Sequence, residues 1–534
     1  MNGGDAAVRA LADSGVKHAF GIPGIHNLPI FDALAKDRAF ELVSPRHEQA
    51  AAFMADGYAR TSGLPGICLL AAGPGALNAA TAVSTAYMDS QPLLVLAGGV
   101  KTTDVGKGVL HEFDQVSVFG PITKLSTRVT NSNNVYSRIK DAYHRCSEGR
   151  PRPVFIELPY DVLSSPSVAD NSAVVTEAVP TVTIPQELVR LLKQSEKVVV
   201  IAGGGVVTSG AWNELRSLSK SLRIPVATTT MGIGSVVDGS PLSLGRLLTP
   251  LASSCVEEAD LVLALGCRFS ERSTGFGKLK VKSLVQVDID PQEIGKIYPV
   301  KLGICADANV FLSELSRAVA AAGLAPKSSW FRAPGGAPSV TTAGAPSQFP
   351  LAPAQAGMEI VSAAGPKTIL VTDTGYSFWH TMIQYRADAP RRYLCSAGNA
   401  AMGFALPASI GAKVARPESD VVAVVGDGSM LMTGEELISA VELGINLTVV
   451  VMDDGGYGSI RDYQRRLYEN RYFAVNLKNP DFVKLAEACS AKGFRAGRLA
   501  DIRELIDDSR KSGGVNLIDV PITRTENVVP GFLR

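Results

Sequence analysis

The sequence predicts an α/β protein of three doubly wound domains, each with a parallel sheet between layers of helix. Three observations carry this expectation. Short runs of Val, Ile and Leu recur along the chain, in ICLLAA, PLLVLAGG, KVVVIAGGG, LVLALG, TILVTDTG, DVVAVVGDG and LTVVVMDDGG. Such runs lack polar alternation and so belong to strands buried on both faces. Longer helix-like stretches such as GALNAATAVSTAYMD lie between them and supply the crossovers that parallel strands need. At 534 residues the chain also exceeds what one hydrophobic core supports, and two shifts of composition divide it.

Those shifts are the polar stretch DVLSSPSVADNSAVVTEAVPTV and an Ala/Gly/Pro/Ser-rich segment. They place domains at residues 1–165, 183–324 and 355–534, with residues 325–354 a linker kept partly extended by its prolines. With 52 basic against 51 acidic side chains the net charge is +1, so no overall field draws in nucleic acid or an anionic membrane. Apolar runs such as Val198 to Ala202 fall far short of the roughly 18–20 residues that span a bilayer. The expected partners are small molecules or copies of the chain itself. The seven scattered cysteines lack metal-ligand spacing and read as reduced core residues. Together with an opening MNGGDAAVRA that has no leader pattern, they lead to a cytoplasmic expectation.

In doubly wound sheets ligands sit beyond the carboxyl ends of strands, which directs the search to the Gly and Asp that end these runs. One strand ends at Gly426-Asp427-Gly428-Ser429 and a second at Asp453-Asp454-Gly455-Gly456, with Asp454 27 positions after Asp427. Glycines let backbone approach a phosphate, and the free N–H groups of a following helix favour an anion there. An aspartate facing such an anion requires a hard cation between them. Taken alone, GDG is equally a sharp turn with a solvated aspartate. Near the N-terminus, SPRHEQAAAFMADGYARTSG sets Glu48 at the head of an Ala-rich helix, and a Gly73-Pro74-Gly75 turn follows the next strand. The alanines and Gly57 suit a tight subunit interface, in which Glu48 would be buried with a raised pKa. An exposed glutamate on a well-packed helix would read the same way.

Together these segments resemble the acetolactate-synthase-like family of thiamin-diphosphate-dependent enzymes, over almost the whole chain. The resemblance implies pyrimidine-binding, central and diphosphate-binding domains in that order. It makes Glu48 the activator that bonds the aminopyrimidine ring, with Pro74 and Asn78 lining the pyrimidine pocket. Met402, 25 residues before Asp427, becomes the apolar wedge that bends the cofactor, and Ala400 offers its carbonyl to the pyrimidine amine. Asp427, Asp454 and the main chain of Gly456 become the magnesium ligands, and Gly375, Gly426, Gly428, Ser429 and Tyr457 complete the cofactor contacts. Asp453 and Asp454 depart from the asparagine pair of the family, adding a carboxylate that binds a hard cation but repels a diphosphate. Arg268 and Arg272 match flavin contacts, yet the Met-His-Gly turn expected after TTTMGIGS is replaced by SLGRLLTP, which points away from FAD. Gly203-Gly204-Gly205 reads as a strand-end turn.

At the substrate end, where Ile25 is also expected to meet the substrate, His26 in GIPGIHNLPIF, His111 in GVLHEFDQ and Tyr463 in SIRDYQRR differ from the synthases. His26 and His111 suit general-acid work because histidine titrates near neutrality. These motifs resemble the 5-guanidino-2-oxopentanoate decarboxylase branch more than true synthases; Asp114 and Gln115 share the motif without an assigned step. The resemblance therefore implies decarboxylation of a 2-oxo acid to an enamine, then protonation to an aldehyde or carboligation to a hydroxyketone, in a homodimer or homotetramer. Two alternatives stand beside it: a lyase or hydrolase of a 2-hydroxyacyl thioester or cyclic diketone, and a non-catalytic binding homologue.

Overall fold

The computed structural model describes residues 1–168, 181–247, 249–275, 277–328, 330–331 and 349–524. Much of the expected linker lies outside the described residues. Three six-stranded sheets are present, and every pairing in them is parallel. The first sheet runs, edge to edge, Glu41–Val43, His18–Gly21, Gly66–Leu70, Leu93–Gly99, Val154–Pro159 and Leu125–Arg128. The third runs Tyr393–Cys395, Ile369–Thr372, Val421–Gly426, Leu447–Asp453, Val515–Pro521 and Lys492–Arg495. Numbered within each domain, both follow the order 2-1-3-4-6-5. The central sheet runs Leu302–Cys305, Leu284–Asp288, Leu261–Leu265, Val198–Ala202, Val226–Thr228 and Ser243–Arg246, the mirror-listed order 3-2-1-4-5-6. The apolar runs of the sequence are these strands: Gly66–Leu70, Leu93–Gly99 and Val198–Ala202 are buried along their whole length.

The order 2-1-3 creates a switch point, where the chain leaves neighbouring strands in opposite directions and opens a crevice at their carboxyl ends. In the first domain that crevice lies between His18–Gly21 and Gly66–Leu70, and in the third between Ile369–Thr372 and Val421–Gly426. The segments that leave those strands carry His26, Pro74, Asp373 and Asp427.

The first and third domains share a core that includes the Ala-rich helix Glu48–Ser62 and the helix Ala405–Ala415. A methyl on Gly57 would sit 2.1 Å from the Ala408 carbonyl oxygen, and one on Gly411 would sit 1.9 Å from that of Met54. The small residues thus bring two helices of one chain together, where the sequence had suggested contact between subunits. Phe53 and Phe404 meet edge to face beside them, 5.5 Å between centroids, an arrangement worth about 0.5–1.5 kcal/mol beyond its buried area. The central sheet keeps separate cores on its two faces. All seven cysteines are free; five are buried as expected, whereas Cys305, at the end of the edge strand Leu302–Cys305, is exposed and Cys489, after the helix Phe482–Ala488, is half-buried. Among the described residues no helix is long and apolar enough to cross a membrane.

Candidate active site

In the first domain Glu48 opens its helix behind the N-cap His47. The preceding turn is fixed from the third domain: the buried Glu436 carboxylate accepts from the Arg46 and His47 N–H groups at 2.9 and 3.1 Å. Burial raises the Glu436 pKa. Glu48 is half-buried, so the fully buried glutamate expected from its helix is not found within one chain. Asn78 Nδ2 donates to Glu48 Oε2 at 2.9 Å, and a methyl on Gly75 would lie 3.2 Å from Oε1. The strand-end turn at Gly73, with φ +70°, starts the short helix Pro74–Asn78 and brings Asn78 to the glutamate. Pro74, Leu77 and Asn78 are exposed around this pair.

His26 and His111 come from different strand ends yet face each other, with ring centroids 5.3 Å apart. The His26 turn is stapled by the buried Asn27, whose Oδ1 accepts from Gly24 N–H and whose Nδ2 donates to the Ile22 carbonyl. Glycine is required against the main chain and Cβ of both histidines. A methyl on Gly98 would come within 2.8 Å of His26, and one on Gly73 within 2.9 Å of His111. His111 itself sits at φ +68°, a conformation costing a side-chain-bearing residue about 1–2 kcal/mol and maintained here by its loop. That loop closes on the Glu112 carboxylate, which accepts from Gly106, Gly108 and Val109 N–H groups. Burial, then the neighbouring His111, lower the His26 pKa. Gln115 holds the Gly98 carbonyl at 3.0 Å, and Asp114 caps the helix Gln115–Phe119. These two residues of the motif shape the loop. Ile25 is exposed beside His26; Tyr463 is exposed on the helix Gly458–Leu467, with the Arg466 guanidinium 4.8 Å from its ring centre.

The third-domain crevice holds the acidic group. Asp427 and Asp454 are both buried. Asp427 Oδ2 accepts from Gly456 N–H at 2.9 Å and from Asn479 Nδ2 at 2.6 Å. Asn479 Nδ2 also donates to Asp453 Oδ1 at 2.7 Å, and Gly455 N–H donates to the same oxygen. Asp453 is thereby occupied beneath the turn, and Asp454 Oδ2 is left buried without a hydrogen-bond partner. Burial, and next the facing Asp427, push Asp454 up to about 8; burial chiefly raises Asp427 as well. Arg524 donates to the Asp454 and Gly455 carbonyls and fixes the turn. Among the described residues no group of three or more His, Cys, Asp or Glu side chains could hold a metal ion. The two buried carboxylates, with Gly456 N–H bonded to one of them, are an oxygen-rich pair of the kind that suits a hard cation.

Around this set, Gly375 has φ +114° and a methyl on Gly426 would meet open space, whereas one on Gly428 would strike the Tyr457 ring at 2.6 Å. The Ser429 hydroxyl donates to the fully buried Asp373, which also accepts from Ala405 and Thr374 N–H. Ala400 has φ +54°, and Met402 is half-buried where the chain turns into Ala405–Ala415. Asn479, Glu436 and Asp373 were not singled out from the sequence. Asp373 ends the run TILVTDTG and obeyed the strand-end rule; Asn479 and Glu436 had no local signal.

Arg268 and Arg272 lie elsewhere, lining a cavity of about 220 Å³ at the carboxyl ends of the central sheet together with Gly204, Gly205 and Asp288. Arg272 packs its guanidinium 5.1 Å from the Phe378 ring centre. A methyl on Gly203 would collide with the Gly266 carbonyl oxygen at 2.1 Å, so this glycine packs two strand ends together.

Comparison with known proteins finds three family models in succession. Residues 1–118 match the N-terminal TPP binding domain of thiamine pyrophosphate enzymes, residues 185–315 the central domain and residues 373–520 the C-terminal TPP binding domain. The chain is 35% identical to a probable acetolactate synthase large subunit of Methanocaldococcus jannaschii, over 98% of this chain and 93% of the relative. It is 33% identical to the acetolactate synthase isozyme 3 large subunit of Escherichia coli, over 100% of this chain and 97% of the relative. An acetolactate synthase of Arthrospira platensis is 32% identical, over 99% of this chain and 96% of the relative.

Proposed function

Since the chain belongs to the acetolactate-synthase-like family of thiamin-diphosphate-dependent enzymes, we propose that it decarboxylates a 2-oxo acid with thiamin diphosphate and magnesium, and protonates the product carbon to release an aldehyde. The observation that carries the magnesium assignment is the buried, unpartnered Asp454 Oδ2 facing Asp427. Burial, and next Asp427, raise the Asp454 pKa, so the two carboxylates oppose each other's charge, and a divalent cation relieves that opposition. Asp427, Asp454 and the Gly456 carbonyl would hold the ion, and Gly375, Gly426, Gly428, Ser429 and Tyr457 would surround the diphosphate.

Bound thiamin diphosphate supplies a nucleophilic carbon and an electron sink for the carboxylate-losing substrate. Glu48 would hold a proton at the pyrimidine ring nitrogen. Asn78 restrains one of its oxygens, and Gly75 leaves the other unobstructed. Pro74 would line the pyrimidine pocket, Met402 would wedge under the cofactor and Ala400 would accept from its amine. His26, whose pKa burial and then the neighbouring His111 lower, would deliver the proton, with the His111 ring facing it. Ile25 and Tyr463 would face the substrate's side chain. The reaction is redox-neutral, which gives FAD no chemical role in it.

Carboligation to a hydroxyketone is the second reading, favoured by relatives named as acetolactate synthases. The two are separated by supplying a panel of 2-oxo acids with cofactor and magnesium, then measuring carbon dioxide and identifying products. Aldehyde as the main product supports the first reading, hydroxyketone the second, and no carbon dioxide from any 2-oxo acid overturns both. We further propose a homodimer in which Glu48 of one chain serves the acidic crevice of the other. The polar partners of Glu48 and of Asp427 lie in their own domains, and exposed Leu77, Leu431 and Met432 offer apolar surface for such an interface. The free, mostly buried cysteines accord with a cytoplasmic setting.

A further inference from the structure

The segment from Ser396 to Met402, which carries Ala400 and Met402, is held largely by the first domain of its own chain. Asp89, at the end of the helix Ala80–Met88, accepts from Ala397 N–H at 3.0 Å and from Gly398 N–H at 2.6 Å. Its side chain is wholly buried and is also held by Arg60 at 2.9 Å. Arg60 pairs with Asp56 and donates to the Cys395 carbonyl at 2.8 Å. Asn399 reaches Ser84 and Thr85 of the same first-domain helix. The fit is tight: a methyl on Gly398 would lie 2.9 Å from Asp89 Oδ1, from Met88 Cβ and from an Arg268 nitrogen.

Ala400 needs such holding. It stands at φ +54°, a conformation that a residue with a Cβ keeps only when its surroundings determine it. The direct bonds on this stretch from the third domain are few: Ala401 N–H to Ser396 Oγ at 2.9 Å and Thr374 Oγ1 to the Ala401 carbonyl at 3.3 Å. The two bonds to Asp89 reach across domains to a carboxylate, and such charge-assisted bonds are roughly twice as strong as neutral ones.

We infer that Asp89, braced by Arg60, is a positioning residue that fixes the Ala400 carbonyl and Met402 against the cofactor's pyrimidine ring. The inference rests on the cofactor placement proposed above. Asp89 does not touch the reacting atoms. It sets the backbone that does, so its loss should act on cofactor activation and spare the diphosphate anchor at Asp427 and Asp454.

The test uses the full-length protein as wild type, Asp89→Asn, and Asp89→Asn combined with Ala400→Gly. Two quantities are read: amide hydrogen exchange across 396–402 without cofactor, and exchange of the thiazolium C2 proton at saturating thiamin diphosphate and magnesium. In Asp89→Asn the 396–402 amides should exchange faster and C2 exchange should fall by about tenfold or more, the scale expected for a small misplacement of a reacting group. The cofactor dissociation constant should change far less. Ala400→Gly should recover part of the C2 rate, because glycine takes φ +54° without strain. A purely structural Asp89 would lower the melting temperature and leave C2 exchange of the folded protein at the wild-type rate, which overturns the inference. Should Asp89→Asn fail to fold, Gly398→Ala, which forces the segment off an intact Asp89, is read against the same expectations. If wild type itself does not accelerate C2 exchange over free cofactor, the proposed function falls and this inference with it; if wild type does and the variants match it, only the inference falls.

Discussion

The crevices of the first and third domains arise from the same strand order but differ in how their carboxylates are satisfied. Glu48 is half-buried, held by Asn78, and placed by a turn whose N–H groups are met by Glu436. Asp427 and Asp454 are buried together, and Asp454 keeps an oxygen with no partner. The Glu48 carboxylate has a neutral side-chain donor, whereas the buried acidic pair keeps a carboxylate oxygen that a positively charged ligand would satisfy. The difference teaches that a fold can supply position in both places while leaving charge to be completed by a ligand in one of them.

The sharpest way to break this comparison is to remove each carboxylate in turn. Glu48→Gln should retain fold and cofactor binding while kcat falls by about 10²–10⁴, the usual share of a positioned proton-transfer group. Turnover at saturating cofactor checks it, and a near wild-type rate would remove Glu48 from the mechanism. Asp427→Ala should do the opposite. Calorimetric titration should show magnesium-dependent cofactor binding weakened by roughly 100-fold or more, given that even outer partners of a bound metal cost 10–100-fold.

A smaller and opposite effect is expected at Asp454. Asp454→Asn keeps an oxygen ligand but removes the opposed charge, so cofactor binding should hold or tighten and the cofactor-free protein should melt a few degrees higher at neutral pH. A lower melting temperature would show that the opposition between the carboxylates is already relieved in the protein.

The smallest expected effect concerns His26. Its folded pKa lies below the ordinary histidine value, so its contribution to stability is present above about pH 6.5 and is lost as pH falls through the folded value. Thermal melts of His26→Asn should therefore show a shallower loss of stability than wild type on acidification. Identical pH profiles would mean that burial and His111 do not perturb this ring.

How much of this was legible in the sequence follows from the range of each contact. The strands could be read because burial on both faces removes polar residues locally, and the GDG turn because glycines at a strand end stand out locally. The helix Glu48–Ser62 announced close packing through Gly57 and its alanines, but a small-residue stripe does not say which surface approaches it. That surface proved to be Ala405–Ala415 of the same chain. Asn479, 52 positions from Asp427, meets it only after the third sheet has formed. Its bridge to Asp453 also changes the meaning of the double aspartate: one carboxylate braces the turn and the other faces the crevice. His26 and His111 looked like two separate candidates, and became a pair because their strands, His18–Gly21 and Leu93–Gly99, flank Gly66–Leu70.

The central claim is that the two half-sites are each incomplete and meet between chains. Glu48→Gln and Asp427→Ala chains, each inactive alone, should be mixed under conditions in which subunit exchange is demonstrated independently, and turnover then measured. Random pairing makes half of the dimers mixed, and each mixed dimer has one site with both groups intact, so activity should return to about a quarter of wild type. No recovery despite proven exchange, or a fully active monomer at high dilution, would contradict the account.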